Sequence, residues 1–138
     1  MAAKINNLFA IAIGGALGTL LRYHLNVNLF FDFMPNATIV ENLAGSFCLG
    51  FLTGLLLHKK FPEWLKLGLG VGLFGGFTTM STFAADTFSI FALHSSIDAL
   101  KYLSFTLFGA LAMAAIGFVV GSCIGARNKN KNWEDSLR

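Results

Sequence analysis

Four stretches of this chain, residues 5–23, 38–57, 65–93 and 100–126, are apolar for about the length needed to cross a lipid bilayer. An α-helix rises 1.5 Å per residue, so about 20 apolar residues cover the roughly 30 Å hydrocarbon core. Charged residues make up 12% of the chain against 55% hydrophobic, about half the charge of a typical soluble domain. A chain of 138 residues supports one domain. The sequence therefore predicts an all-α integral membrane fold, with a single four-helix domain over residues 1–126 and a polar tail, 127–138, that frays in water. The first apolar stretch begins near Leu8, outruns the apolar core of a signal peptide and has no clear cleavage site. It is expected to stay as the first span.

The connections are short: Asn26–Asn36 with Asp32 and Pro35, His58–Trp64 with Pro62, and His94–Ala99. Each span carries small residues four apart: Gly14 and Gly18; Gly50 and Gly54; Gly68, Gly72 and Gly76; Gly117, Gly121 and Gly125. That spacing lines glycines along one helix face and lets backbones approach closely. Found on all four helices, it predicts a tight bundle and an oligomer, because four short helices enclose little alone.

The net charge of +3 does not point to nucleic acid, because the basic residues sit at the chain ends and in one short loop. Lys4, Lys59, Lys60, Lys66, Arg127, Lys129, Lys131 and Arg138 share one side of the membrane, against Lys101 and Arg22 on the other. Cytoplasmic loops collect lysine and arginine, so both termini are placed in the cytoplasm of a protein in the cell membrane. Cys48 and Cys123 lie in apolar segments with no pairing motif and read as small core residues.

Ionisable residues within spans cost about 2.5–3.5 kcal/mol each on insertion scales and are functional candidates. Arg22, Glu41 and Asp86 qualify. Arg22 serves as an anchor or a carboxylate partner, Asp86 as a polar link or a functional group, and Glu41 falls in the first turn of its span. The densest polar signal is Gly75-Gly76-Phe77-Thr78-Thr79-Met80-Ser81-Thr82-Phe83, in the middle of the third span. Two glycines followed by hydroxyl residues suit a broken helix, whose freed carbonyls hold cations and whose helical N-termini attract anions. Ser and Thr also bond back to their own helix, which leaves the signal moderate by itself. Thr38, Asn42 and Ser46 recur at i, i+4 and i+8, and Tyr102 and Thr106 at i, i+4, each set on one helix face. These faces are neutral donors rather than acids, which favours an anion path over a cation pore. Interhelical hydrogen bonding is the plainer use of the same residues.

The stretches Gly14–Arg22, Thr38–Gly45, Gly75–Asp86 and Gly109–Met113 resemble the Fluc (CrcB) family of fluoride channels, and the resemblance covers essentially the whole chain. Its Gly-Gly-x-Thr-Thr-x-Ser-Thr-Phe core is highly specific in this setting. The resemblance implies passive fluoride export by an antiparallel, dual-topology dimer with two pores and a third helix broken mid-membrane. It implies a structural sodium ion, not transported, held by the backbone carbonyls of Gly75 and Thr78. It maps pore residues onto Asn42, Met80, Phe83, Tyr102 and Thr106, to which the polar track and the hydroxyl-rich stretch add Thr38 and Ser81 as candidates. Three positions depart from the family pattern. Met80 stands where a pore phenylalanine is usual, Glu41 where an apolar residue precedes the asparagine, and Asp86 where glutamate is common. An ionised Glu41 beside an anion path would repel fluoride. It therefore faces away, is protonated, or belongs to a pore that does not conduct.

A homodimer of opposed subunits needs a chain that inserts both ways, and this chain has a strong charge bias. Together with Met80 and Glu41, that bias points to pairing with an oppositely oriented paralogue, with the homodimer as the other possibility. The competing function is a proton-coupled exporter of the small multidrug type, with Glu41 as its carboxylate. Such exporters lack the Gly-Gly-x-Thr-Thr motif. No nucleophile–base pair, metal cluster or phosphate loop supports an enzyme, and His24, His58 and His94 read as interfacial residues.

Overall fold

The computed structural model describes residues 2–28 and 35–136, with side chains from 3 to 127. Asp32 lies outside the described residues, as do the side chains of Lys129, Lys131 and Arg138. The chain folds as α1 (Ala2–Asn28), α2 (Asn36–Leu56), α3 (Glu63–Leu67), a π-helical stretch (Gly68–Phe74), α4 (Gly75–Phe77), α5 (Met80–Leu93) and α6 (Ser96–Ser136). The segments from α3 to α5 together form the third span. Four helical spans are long and apolar enough to cross a membrane: Ala3–Asn28, Asn36–Leu56, Glu63–Leu93 and Ser96–Arg127.

The first and last helices differ from the sequence expectation. The first helix was expected to end near residue 23 but runs to Asn28, where Asn26 Nδ2 donates to the Arg22 carbonyl one turn back at 2.9 Å. The last helix starts earlier than residue 100 and continues through the polar tail to Ser136. Ser95 starts it, its Oγ accepting from the Asp98 N–H at 3.1 Å and donating to Asp98 Oδ2 at 2.7 Å, a reciprocal N-terminal cap. Beyond Gly125 the tail has neither glycine nor proline, so nothing local stops the helix once its apolar part has ended.

The glycine strips decide which helices pair. In α2 and α6, a Cβ on Gly50 would collide with the Ala114 carbonyl oxygen, and one on Gly117 with that of Phe47. Gly54 and Gly121 stand in the same relation to Phe118 and Phe51. α1 packs on the third span by the same device, with Gly14 against the Gly68 carbonyl and Gly18 against that of Leu73. Close backbone approach of this kind replaces the hydrophobic driving force that helices lack among lipid tails. The C-terminal end of α2 is tied to α6 by His58 Nε2, 3.0 Å from Ser122 Oγ, a contact its interfacial reading did not anticipate.

The buried apolar core is small and lies where α5 meets α6: Phe83, Ile90, Ala99 and Tyr102. Large apolar side chains such as Leu8, Phe9, Phe88 and Leu111 are exposed instead. In water that arrangement would drive aggregation. Against lipid it costs nothing, so the outer surface carries the hydrophobicity and the interior is left for polar groups.

Candidate functional site

Helix α4 ends at Phe77, and the next two residues leave the helix. Thr78 has φ −76° and ψ 156°, and Thr79 has φ −145° and ψ 126°. Extended backbone inside a span needs partners for its N–H and C=O groups. Asn42 of α2 supplies both: its Oδ1 accepts from the Thr79 N–H at 2.9 Å, and its Nδ2 donates to the Thr79 carbonyl at 3.0 Å. The next helix is then started by Thr79 itself, whose Oγ1 accepts from the Thr82 N–H at 3.1 Å, as an N-cap threonine does. Before the break, the N–H and hydroxyl of Thr78 both donate to the Phe74 carbonyl, at 3.0 and 2.9 Å. Gly45 makes the approach of α2 possible, since a Cβ there would collide with Thr78 Cγ2.

Among the carbonyls that the break leaves without a helical donor are those of Gly75 and Thr78. In a continuous helix the Gly75 carbonyl would accept from the Thr79 N–H and the Thr78 carbonyl from the Thr82 N–H. Both N–H groups go to side-chain oxygens instead. The carbonyls of Gly75 and Thr78 thereby leave the helical ladder, as the freed carbonyls of broken membrane helices that can hold a cation do.

Beside the break lies a cavity of about 230 Å³. Its polar walls are Asn42 and Ser46 of α2, Thr78 and Thr79 of the break, and Thr106 of α6, with Met80, Phe83, Leu107 and Ala110 as its apolar walls. None of these side chains ionises in the physiological range. Thr106 is 2% exposed and its Oγ1 has no partner among the described residues. Asn42 has used one of the two N–H bonds of its amide on Thr79. The ring of Phe83 is buried and packs on Tyr102, centroids 5.6 Å apart and tilted by 35°. Met80 projects outward at 72% exposure.

The structure divides the expected pore residues into two groups. Asn42, Met80, Phe83 and Thr106 meet at the cavity. Thr38 and Tyr102, both 1% exposed, instead turn their hydroxyls onto Asp86, donating to Oδ2 at 2.7 and 3.2 Å. Ser81 stands apart from both groups, its Oγ 3.4 Å from Thr79 Oγ1.

Glu41 is fully buried, which its place in the first turn of a span did not suggest. Its Oε1 accepts from Asn26 Nδ2 of α1, and Arg22 lies within electrostatic reach. The other oxygen, Oε2, is buried without a partner among the described residues. Glu41 therefore faces α1, away from the Asn42 cavity, and the carboxylate that a proton-coupled exporter would use has no place in the cavity wall. Sequence reasoning missed Asn26, assigned there to a loop. The signal was available in the i, i+4 spacing of Arg22 and Asn26, which extends the helix by a turn.

The family model described as CrcB-like protein, Camphor Resistance (CrcB), matches residues 9–118. The chain belongs to the CrcB family. Every residue of the break, the cavity and the Asp86 group falls within that match. Among similar proteins of known name is a fluoride-specific ion channel FluC 2 of Halalkalibacterium halodurans, 44% identical over 131 residues, which covers 95% of this chain and 97% of the relative. The FluC 2 of Bacillus subtilis is 40% identical over 126 residues, 91% and 95% of the two chains. A fluoride-specific ion channel FluC of Bordetella petrii is 38% identical over 112 residues, 80% and 88%. As a CrcB member with four spans, the chain is a multi-pass membrane protein and not an enzyme.

Proposed function

We propose that this chain is a subunit of a fluoride-specific ion channel that exports fluoride passively and so lowers its cytoplasmic concentration. The observation that carries this reading is the Asn42–Thr79 clasp, which places a break in the third span beside a cavity lined by neutral donors. Fluoride is small and strongly hydrated, so a pathway must replace its water yet release it readily. The Thr106 hydroxyl and the remaining Asn42 N–H serve as donors. The ring edge of Phe83 carries partial positive charge and touches an anion without holding it tightly. With no acid among the described residues of the cavity wall, an anion meets no like charge from them.

The channel works as an antiparallel dimer in the cell membrane, with the lysine-bearing end of this chain in the cytoplasm. The released carbonyls of Gly75 and Thr78 hold a structural sodium ion, which fixes the break and is not transported. The second subunit is an oppositely oriented paralogue, because the charge bias of this chain favours one orientation of insertion.

Fluoride efflux from liposomes tests the reading, first with this chain alone and then with its nearest paralogue. Electrogenic, fluoride-selective efflux that needs no proton gradient is expected on co-reconstitution. Efflux from the single chain would replace the heterodimer by a homodimer. Transport that runs uphill when protons flow would overturn the channel.

A further inference from the structure

In the glycine seams a Cβ would sit between a carbonyl oxygen and the nitrogen four residues further on, the two ends of one α-helical hydrogen bond. Gly54 faces Phe118 and Ser122 in this way, Gly117 faces Phe47 and Phe51, Gly121 faces Phe51 and Leu55, and Gly18 faces Leu73 and Phe77. Gly14 differs. It faces the Gly68 carbonyl and the Leu73 nitrogen, which are five residues apart. The turn from Gly68 to Leu73 therefore holds one residue more than an α-helical turn. The Gly75 N–H, donating to the Gly70 carbonyl five residues back, continues the same wide winding. Measured against α1, the third span carries a surplus residue stored ahead of the break.

The surplus residue has somewhere to go. If the wide turn tightened to an α-turn, residues 71 to 76 would each take the place of the next. Phe77 would then be pushed into the extended segment of Thr78 and Thr79, and the Thr78 N–H would lose the Phe74 carbonyl. At the far end no backbone resists this, because Gly75 would replace Gly76 beside the Gly15 carbonyl, and Phe77 would only lose its packing on Gly45. At the near end Val71 would replace Gly72, where a Cβ lies 2.8 Å from the Ile11 carbonyl oxygen. That neighbour is backbone, and no rotamer relieves the overlap. In its present place Val71 stands at the surface, 59% exposed. We propose that Val71 is a register catch, which keeps the surplus residue in the turn at Gly68–Leu73 and out of the break. The proposal does not rest on fluoride conduction.

Two variants separate the catch from the side chain. Val71→Gly removes the Cβ and frees the surplus residue to travel. Deletion of Val71 leaves Gly68-Leu-Gly-Gly-Leu, the turn of Val71→Gly without its surplus residue, so nothing is left to travel. Peptide-resolved amide hydrogen exchange on the full-length reconstituted protein reads the break at Phe77–Thr79. Exchange there is expected to be on the order of tenfold faster in Val71→Gly than in the parent. The deletion variant, and Val71→Ala with its Cβ retained, should match the parent. Parent-like exchange in Val71→Gly would overturn the proposal. An equally fast break in the deletion variant would do the same, since the lost side chain and not the surplus residue would then be the cause. A fast break in Val71→Ala would show that the Cβ is not the catch. Failure of the deletion variant to give monodisperse protein would also overturn it, because packing would then require the extra residue.

Discussion

Where α2 meets α6 at Gly50, Gly54, Gly117 and Gly121, each helix places carbonyl oxygens where the other would have Cβ atoms, and glycine against backbone makes the seam there. Where α2 meets the third span, the same helix presents an amide, and Asn42 takes both polar groups of Thr79. The seam joins two regular helices whose backbone groups are already paired, so it needs only close approach. The break interrupts the helical hydrogen-bond ladder, and its polar groups need replacement partners in a medium without water. One helix thus carries a face of shape and a face of chemistry. The first should fail by steric overlap and the second by loss of a donor or acceptor.

The largest effect is expected from breaking the seam. Gly117→Leu drives a side chain into the Phe47 carbonyl, at the upper end of overpacking costs or beyond, more than about 3 kcal/mol. The expected result is loss of monodisperse protein on size-exclusion chromatography, with no variant at Asn42 giving as severe a profile. Next is Asn42→Leu, which strands the Thr79 N–H and carbonyl at about 1–3 kcal/mol each. It should lower the thermal midpoint of the assembled protein and abolish fluoride efflux. Asn42→Asp, which keeps the acceptor and loses the donor, should fall between.

Smaller effects sharpen the chemical face. Thr79→Ala removes the cap of α5 and should cost about 1 kcal/mol, whereas Thr79→Ser, with its hydroxyl retained, should stay close to the parent in the same thermal assay. Tyr102→Phe deletes one of two donors to Asp86 and should cost about 0.5–1.5 kcal/mol. Combined with Thr38→Val, the loss should exceed the sum of the two, since Asp86 Oδ2 then keeps neither hydroxyl. The least effect on conduction is expected for Glu41→Gln. Its side chain is outside the cavity, so fluoride efflux and selectivity over chloride should match the parent. A changed selectivity would place Glu41 in the ion path and redraw the boundary between the two faces of α2.

The four spans and the strips that pair them follow from properties each segment carries alone. Hydropathy over some 20 residues decides whether a helix can lie in lipid, and a glycine every fourth residue marks a face for close contact. The concentration of hydroxyls at 78–82 likewise drew attention to the third span before any partner was known. What each polar group bonds to was not legible, because that depends on how every helix is turned about its axis. Glu41 and Asn42 are neighbours in sequence but about 100° apart around the helix, so one meets Asn26 of α1 and the other the Thr79 backbone. Tyr102 and Thr106 share a face but differ by about 6 Å in height, enough to send one hydroxyl to Asp86 and leave the other in the cavity without a partner among the described residues. The sequence by itself determined a four-span membrane chain of glycine-packed helices, since those signals are local. Only the tertiary structure decided which donors face the cavity and which are spent on carboxylates and backbone, since that choice is made between residues far apart in the chain.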